Sequence, residues 1–284
     1  MCSFRMYRYF RILLCLAAWP THAHSQIGGT IICAQIVGDT IIVAADSRMS
    51  FRGLDTGYIG YADSFPKFFP FYNGIAGTAG EAFWNGKSFE KVLKDFMDEH
   101  SDETDFLILV SKFIKYINQN YPVTDITLKK YQHLIFVGYT EQRPVIILLD
   151  RGPTTGQRSS FSGNGTTEGD FTSVFDAYAQ EHLLQYSIDL AAAYEDMIVK
   201  YALNRNDTIR IGGPISLALL LKPSLNSDKP NIHWIKNNLL NHSYSTAEEV
   251  LQYLESDKAK LVPIYPYGRK LILQIIKDRM HLTH

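Results

Sequence analysis

The chain reads GGTIICAQIVGDTIIVAADSR from Gly28 to Arg48. Two runs rich in β-branched residues, Thr30–Val37 and Thr40–Ala45, flank the dipeptide Gly38-Asp39. A short turn between two such runs predicts a pair of antiparallel strands. Both runs are apolar almost throughout, which is typical of strands that are covered on both faces. The stretch therefore predicts a hairpin that is buried between other layers of the fold.

Strand and helix patterns alternate along the rest of the chain. Apolar residues at i, i+3, i+4 and i+7 predict amphipathic helices at 89–97 and 106–117, the second of them starting after Thr104-Asp105. The further predicted elements are strands at 67–71, 75–76, 133–139, 144–150, 159–162, 215–221 and 231–235 and helices at 171–178 and 187–203. Strand pairs wrapped by helix pairs predict an α+β fold, a four-layer αββα sandwich with two stacked sheets between helical layers.

The first 25 residues differ in kind from the rest of the chain. Arg5, Arg8 and Arg11 precede an apolar run that is too short to span a bilayer, which predicts a secretory signal at 1–25. Residues 26–29 would then remain as a short propeptide. We expect a secreted or periplasmic protein with no stable membrane span, and a cytoplasmic one if the N-terminus is misassigned.

The predicted domain covers 30–235, and an extension occupies 236–284. Within the domain, the polar segment Gly163–Asp170 is predicted to be a loop. Within the extension, Ser245 and Glu248 have the spacing of a capping box and precede an apolar stripe. The extension therefore predicts a helical tail appended to the sandwich.

Composition excludes several function classes. A formal net charge of −1 and no basic stripe give no electrostatic case for binding nucleic acid. Removal of the signal would leave Cys33 as the last cysteine, so no internal disulfide is expected. The 9 histidines show neither an HExxH motif nor paired ligand spacing, so we expect no metal site and no cofactor.

Thr30 is the candidate nucleophile. A threonine can use its own α-amino group as a base only after the peptide bond before it is cleaved. The freed amine, with a pKa of roughly 7.7–8.0 in unperturbed chains, would accept the hydroxyl proton near neutral pH. Gly28 and Gly29 allow the backbone geometry that an intramolecular attack on the bond before Thr30 requires. The alternative is that Thr30 is an ordinary strand residue in a chain that begins before it.

Four motifs together resemble the proteasome β-subunit family of N-terminal-nucleophile hydrolases. They are Gly29-Thr30, AADSR at 44–48, Lys67, and AGTAG at 76–80. The resemblance is firmest over Gly29–Ala82, where the spacing from the threonine to the aspartate matches the family without a gap. It implies a threonine-type hydrolase, formed by autocatalytic cleavage, that acts on amide bonds of peptides through an acyl-enzyme. It also implies assembly into a homo-oligomer.

The resemblance implies a catalytic role for each of four residues. Thr30 would be the nucleophile, and Lys67 would lie beside it and favour its deprotonated forms. Asp46 would hold that lysine and keep it charged, since a nearby opposite charge favours an ammonium. The amide of Gly77 would donate to the oxyanion, a contribution on the order of 3 kcal/mol in other acyl-transfer enzymes.

The other matched positions receive supporting roles from the resemblance. Ser162 and Gly163 match a serine–glycine pair near the nucleophile, and Asp207 matches a second aspartate of the family. Arg48 would brace the turn after the second strand, and Gly29 would precede the bond that is cleaved. Loop and helix-cap roles are the alternatives for Ser162 and Asp207.

The candidate residues also have purely structural interpretations. Asp46 and Arg48 could form a turn pair that supports folding alone. Lys67 lies between aromatic residues and could extend its stem over them into solvent. The glycines of 76–80, Gly77 and Gly80, could mark the entry to a helix.

The chain departs from the family pattern at three places. Ile31 follows Thr30, where active members of the family often carry a small hydroxylated residue. The segment 209–213 has no serine, and the loop Met49–Pro66 is longer than is usual in the family. These departures keep two further hypotheses open. One is a catalytically silent proteasome-like module for assembly or binding, and the other is a small-molecule amidase on the same fold. The expected partner is a peptide or another amide substrate.

Overall fold

The structure, a computed structural model, describes 13 stretches of the chain. They are residues 31–37, 39–52, 57–80, 82–122, 132–140, 143–152, 156–162, 165–169, 212–223, 231–236, 244–256, 258–264 and 266–281. The predicted signal at 1–25, the propeptide at 26–29 and the predicted helices at 171–178 and 187–203 lie outside the described residues.

The predicted strands and helices that fall on described residues occur in the predicted order, and further strands lie between them. The strands are β1 Ile31–Val37, β2 Thr40–Ala45, β3 Met49–Arg52, β4 Tyr58–Ala62, β5 Phe68–Phe71, β6 Gly74–Gly80, β7 Phe83–Trp84, β8 Lys87–Ser88, β9 Gln132–Thr140, β10 Arg143–Gly152, β11 Gly156–Ser162, β12 Gly165–Gly169, β13 Ser216–Leu221, β14 Asn231–Lys236 and β15 Val262–Pro263. The helices are α1 Phe89–Glu99, α2 Phe106–Asn120, α3 Ala247–Glu255 and α4 Arg269–His281.

Two five-stranded antiparallel sheets form the body of the protein. The first has the order β12-β1-β2-β13-β14 and the second the order β11-β10-β9-β6-β5. The predicted hairpin is confirmed, with a β1–β2 register that runs from Ile32↔Ala45 to Val37↔Thr40. Every residue of β2 is buried, as its continuous apolar run predicts.

The two sheets bury a common core between them. Ile32 and Val43 of the first sheet pack in one cluster with Ile75 and Val137 of the second. All four side chains are at most 1% exposed, so this inter-sheet layer is dry. The sheets are therefore stacked face to face.

The helix pair α1 and α2 covers the outer face of the second sheet. The apolar side chains of both helices pack in one cluster with those of the second sheet. The ring centroids of Phe71 and Phe96 lie 6.1 Å apart, and those of Phe113 and Phe136 lie 5.7 Å apart. Asp105 caps α2 by accepting a hydrogen bond from a backbone amide, as its position before the stripe predicts. Three layers are thus described, and the fourth layer of the sandwich stays a prediction.

Two segments predicted as loops contain strands. Gly165–Gly169 forms β12 and pairs with β1 at the edge of the first sheet. The segment has no apolar alternation, so no strand pattern is visible in the sequence, and the strand is defined by its backbone pairing with β1. Met49–Pro66 contains β3 and β4, which join β15 in a third, three-stranded sheet.

The C-terminal helices share a core with this third sheet. Ile59 and Phe65 pack in one cluster with Leu254 of α3 and Ile272 of α4. The longer loop and the extension therefore stabilise each other, since each buries the apolar face of the other. No helix in the described part of the chain is long and apolar enough to cross a membrane.

The capping box of α3 lies one residue later than predicted. Thr246, not Ser245, is the N-cap, and its side chain accepts a hydrogen bond from the amide of Glu249. The Glu249 carboxylate reaches back to the amide of Ser245 at 2.7 Å. The shift arises because Ala247 and Val250 are the buried positions of the first turn, which sets where the helix begins.

Candidate functional site

Asp46 is fully buried at the carboxyl end of β2. Its Oδ2 atom accepts hydrogen bonds from the backbone amides of Arg48 at 3.3 Å and Gly212 at 3.2 Å. The loop that supplies Gly212 is tied to the same place by a bond from the Ser47 amide to the Gly212 carbonyl at 3.1 Å. These backbone donors help to fix the direction of the carboxylate.

Arg48 joins the turn after β2 to Asp63. Its guanidinium makes a two-point contact with Asp63, Nε to Oδ1 at 2.7 Å and Nη2 to Oδ2 at 2.9 Å. It also stacks on Tyr61, 3.8 Å from the ring centroid. Burial disfavours the charge of Arg48, but Asp63 outweighs this effect, so the pKa of the guanidinium is raised. The pair therefore joins the end of β2 to the segment after β4.

Lys67 lies directly before β5 and faces Thr78 of β6. Its carbonyl accepts a hydrogen bond from the Thr78 amide at 2.9 Å, which extends the β5–β6 ladder by one pair. Burial lowers the pKa of the Lys67 ammonium, and the charge of Asp46 opposes this effect without cancelling it. The net direction is therefore set by burial, which makes the lysine easier to deprotonate, although the charge of Asp46 favours the ammonium.

Gly77 and Gly80 both lie on β6, so the interpretation of these glycines as a helix entry is wrong. Gly77 pairs with Ile135 of β9, and a Cβ atom at this position would lie 2.8 Å from the Ile135 side chain. Because the Thr78 amide bonds towards β5, strand alternation directs the Gly77 amide towards β9 and into the ladder. Gly80 ends the strand with a φ of 102° and lines a cavity.

This cavity, of ≈ 60 Å³, opens beside Lys67. Apolar side chains dominate its wall, and Lys67, Thr78 and Gly80 form one side of it. The apolar wall consists of Met49, Phe65, Phe69, Phe83, Phe89 and Val250. An amine next to a mostly apolar cavity with a few polar groups is the usual composition of a small-ligand site.

Two further side chains of the cavity were not identified from the sequence. They are Thr78, which is part of the AGTAG motif but received no predicted role, and Tyr244, which belongs to the extension. The Thr78 Oγ1 and Tyr244 hydroxyl are buried and have no hydrogen-bond partner among the described residues. The motif signalled Thr78, whereas nothing in the sequence could place residue 244 next to residue 78.

The structure brings together some of the predicted site residues. Asp46, Arg48 and Lys67 converge between the ends of β2 and β5. Ser162 lies at the end of β11, opposite Ile146, on the edge of the second sheet farthest from β5. Four strand spacings separate these two edges, about 19 Å.

The remaining predicted site residues lie outside the described part of the chain. They are Gly29, Thr30, Gly163 and Asp207. The first described residue is Ile31. In the β1–β2 register, Ile32 pairs with Ala45, so Ile31 lies next to the end of β2 that carries Asp46. Groups of three or more residues able to hold a metal are absent from the described stretches.

Comparison with known proteins gives structural likeness without a sequence match. No family model matches the chain, and no curated protein sequence matches it. Among solved structures, the chain is similar to a Gly-1 mutant of Anbu from Hyphomicrobium sp. strain MC1. The match has a TM-score of 0.46 at 12% identity and covers 89% of this chain and 96% of that one. A likeness at this level assigns no activity, so the function is argued from the site itself.

Proposed function

We propose that the protein is an amide-bond hydrolase of the N-terminal-nucleophile type, related to proteasome β-subunits. Thr30 is the nucleophile, and its α-amino group, freed by cleavage of the Gly29–Thr30 bond, is the general base. The substrate is a peptide or a smaller amide. The four-layer sandwich, export through a signal at 1–25 and assembly into a homo-oligomer belong to the same proposal.

The environment of Lys67 carries the proposal. Burial lowers its pKa, the charge of Asp46 opposes this effect, and the residue lines a cavity. A lysine with this environment has little use in a surface that only packs, because burial of its charge costs free energy. The fixed Asp46 lies at the end of β2, beside the start of β1. Thr30 is covalently attached to that start, with its Cα about 3.8 Å from that of Ile31.

The proposed reaction needs only groups of this chain and water. The Thr30 Oγ1 atom attacks the carbonyl carbon, and its proton passes to the free α-amino group. The tetrahedral intermediate collapses, the leaving amine takes that proton, and an ester on Oγ1 remains. Water, deprotonated by the same amine, then hydrolyses the ester.

Lys67 and the β6 glycines have supporting roles in this reaction. Lys67 stabilises the negative charge that develops on Oγ1 and on the intermediate. Gly80 is a better oxyanion donor than Gly77, because it ends the strand and lines the cavity, whereas the Gly77 amide faces β9. Gly163 and Asp207 keep their predicted positions near the nucleophile as part of the proposal, whereas Ser162 lies at the far edge of the second sheet and has no role in it.

The N-terminus of the purified protein tests the proposal most directly. We expect intact mass and N-terminal sequencing to find a wild-type chain that starts at Thr30. The Thr30→Ala variant should retain residues up to and including Gly29, and Thr40→Ala, a strand threonine at the far end of the hairpin, should process normally. A wild-type chain that keeps the residues before Thr30 would refute the proposal, because the nucleophile would then lack its base.

A second candidate function is a silent module for assembly or binding. It is favoured by the backbone contacts of Asp46, whose two amide donors are those of a structural brace. A correctly processed N-terminus together with hydrolysis of any acyl-amide would exclude it. A small-molecule amidase is distinguished from a peptidase by the same assay, and the small volume of the cavity favours short acyl groups.

A further inference from the structure

The extension reaches the candidate site through Tyr244. The Ser88 amide donates to the Ser245 carbonyl at 2.8 Å, and the Ala247 amide donates to the Gly86 carbonyl at 2.9 Å. These two bonds fasten the segment before α3 to the β7–β8 hairpin that leads into α1. Tyr244 is thereby held against the cavity that Thr78 also lines.

The Tyr244 ring is fixed by aromatic neighbours. Its centroid lies 5.9 Å from that of Phe65 and 5.4 Å from that of Tyr253. Burial raises the pKa of Tyr244 to about 12, so its hydroxyl is neutral and can donate a hydrogen bond. A rigid ring that carries a neutral hydroxyl is suited to recognition, because little side-chain entropy is lost on binding.

The hydroxyls of Thr78 and Tyr244 are both unpartnered among the described residues. Thr78 is 8% exposed, and a buried hydroxyl without a partner is rare in folded proteins because its desolvation is uncompensated. Each hydroxyl can both donate and accept one hydrogen bond or more. A ligand with a donor and an acceptor at its end would satisfy both.

We propose that the Thr78 and Tyr244 hydroxyls form a polar end in the cavity that recognises a carboxamide or a similar uncharged polar group of the substrate. This rests on the proposed function, in that the ligand is the acyl side of the amide that is cleaved. The cavity has room for about four water molecules, and an asparagine side chain has about as many heavy atoms. The extension is then a specificity-determining part of the site.

The charged groups of the cavity do not change this assignment. Glu90 lines the cavity, but its carboxylate pairs with Lys94 at 2.9 Å on the surface of α1. Burial lowers the pKa of Lys67, and the negative charge of Asp46 favours its charged form. An uncharged polar group therefore enters without creating an unpaired charge.

The test compares substrates that differ only in the residue before the cleaved bond. Fluorogenic peptides with asparagine, leucine or aspartate at that residue are assayed with the wild type, Thr78→Val and Tyr244→Phe. One hydrogen bond between uncharged groups corresponds to about a 2- to 12-fold change. We expect each variant to lower the asparagine-to-leucine ratio of kcat/KM by about threefold to tenfold. Tyr253→Phe is the control, because the Tyr253 ring packs against that of Tyr244 but does not line the cavity. It should leave the ratio unchanged.

Both variants should fold, because each removes a buried hydroxyl without a described partner. A ratio that stays within about twofold in both variants would overturn the inference. A wild-type preference for aspartate over asparagine would overturn it too, because Lys67 would then read a negative charge.

A binding measurement separates this inference from the proposed function. Dissociation constants of N-acetyl-asparagine amide and N-acetyl-leucine amide are measured by calorimetry for the same four proteins. If neither peptides nor small acyl-amides are cleaved but the binding ratio falls in Thr78→Val and Tyr244→Phe, the hydrolase proposal fails and the recognition site stands. If peptides are cleaved and neither ratio changes, the recognition site fails and the hydrolase proposal stands.

Discussion

Replacement of Gly213 by alanine should destabilise the protein more than any ordinary surface change. Gly213 has a φ of 76°, a conformation that L side chains rarely adopt. A Cβ atom there would lie 2.7 Å from the Ser47 Oγ and 3.0 Å from the Cβ and Cγ of Asp63. Neither neighbour can move away easily, because Ser47 accepts a bond from the Ser64 amide and Asp63 holds Arg48.

The expected loss has two parts. The left-handed backbone costs an alanine about 1–2 kcal/mol, and the overlap with the two neighbours adds about 1–3 kcal/mol. Gly57 offers a matched control, because its φ is 77° and no described atom lies within 4 Å of a Cβ placed there. Gly57→Ala should therefore show the backbone part alone, about 1–2 kcal/mol. The difference between the two variants measures the packing of the Gly213 loop.

Urea unfolding of both variants, monitored by tryptophan fluorescence and far-UV circular dichroism, gives the two free energies of unfolding. We expect Gly213→Ala to lose about 1–3 kcal/mol more than Gly57→Ala, since the entropic effect of alanine on the unfolded chain cancels between them. The overlap also displaces the loop whose Gly212 amide holds Asp46, so hydrolysis should fall in Gly213→Ala and not in Gly57→Ala. Equal losses of stability in the two variants would refute the reasoning.

The contacts of the site give two other predictions. Arg48→Lys should lose about 1–2 kcal/mol of unfolding free energy, because an ammonium cannot make the two-point contact with Asp63 or the stack on Tyr61. The control Lys112→Arg, at an exposed ion pair, should change the unfolding free energy by less than about 0.5 kcal/mol. A similar loss in both variants would contradict this prediction. Lys67 has a folded pKa below its unfolded value, so between these values the unfolded chain binds more protons and the free energy of unfolding rises with pH. The stability of the wild type relative to Lys67→Met should therefore increase from neutral pH towards the usual lysine pKa in urea titrations at several pH values, and a flat or falling difference would show that Lys67 is not desolvated.

The candidate site could be predicted only in part from the sequence. Asp46 and Lys67 were identified by resemblance, and the charge of Asp46 favours the ammonium of Lys67 against the effect of burial. The roles assigned to Thr30 and Asp207 stay predictions, since both residues lie outside the described stretches. The lowered pKa of Lys67 could not be predicted, because it depends on burial by side chains that are distant in sequence.

Tyr244 illustrates the same limit for specificity. It is separated from Thr78 by more than half of the chain, yet both residues line one cavity. No periodicity or local motif carries information on such a contact, because it arises from the packing of α3 and α4 on the third sheet.

The sequence by itself determined the elements whose physics is local. The β1–β2 hairpin results from two β-branched apolar runs around a short turn, and α1 and α2 result from apolar spacing with a cap before each stripe. The tertiary structure alone decided that β12 pairs with β1, that the extension packs on β3 and β4, and that Tyr244 borders the cavity. These features depend on backbone hydrogen bonds and burial between distant segments, whose free energy appears only when the whole chain has folded.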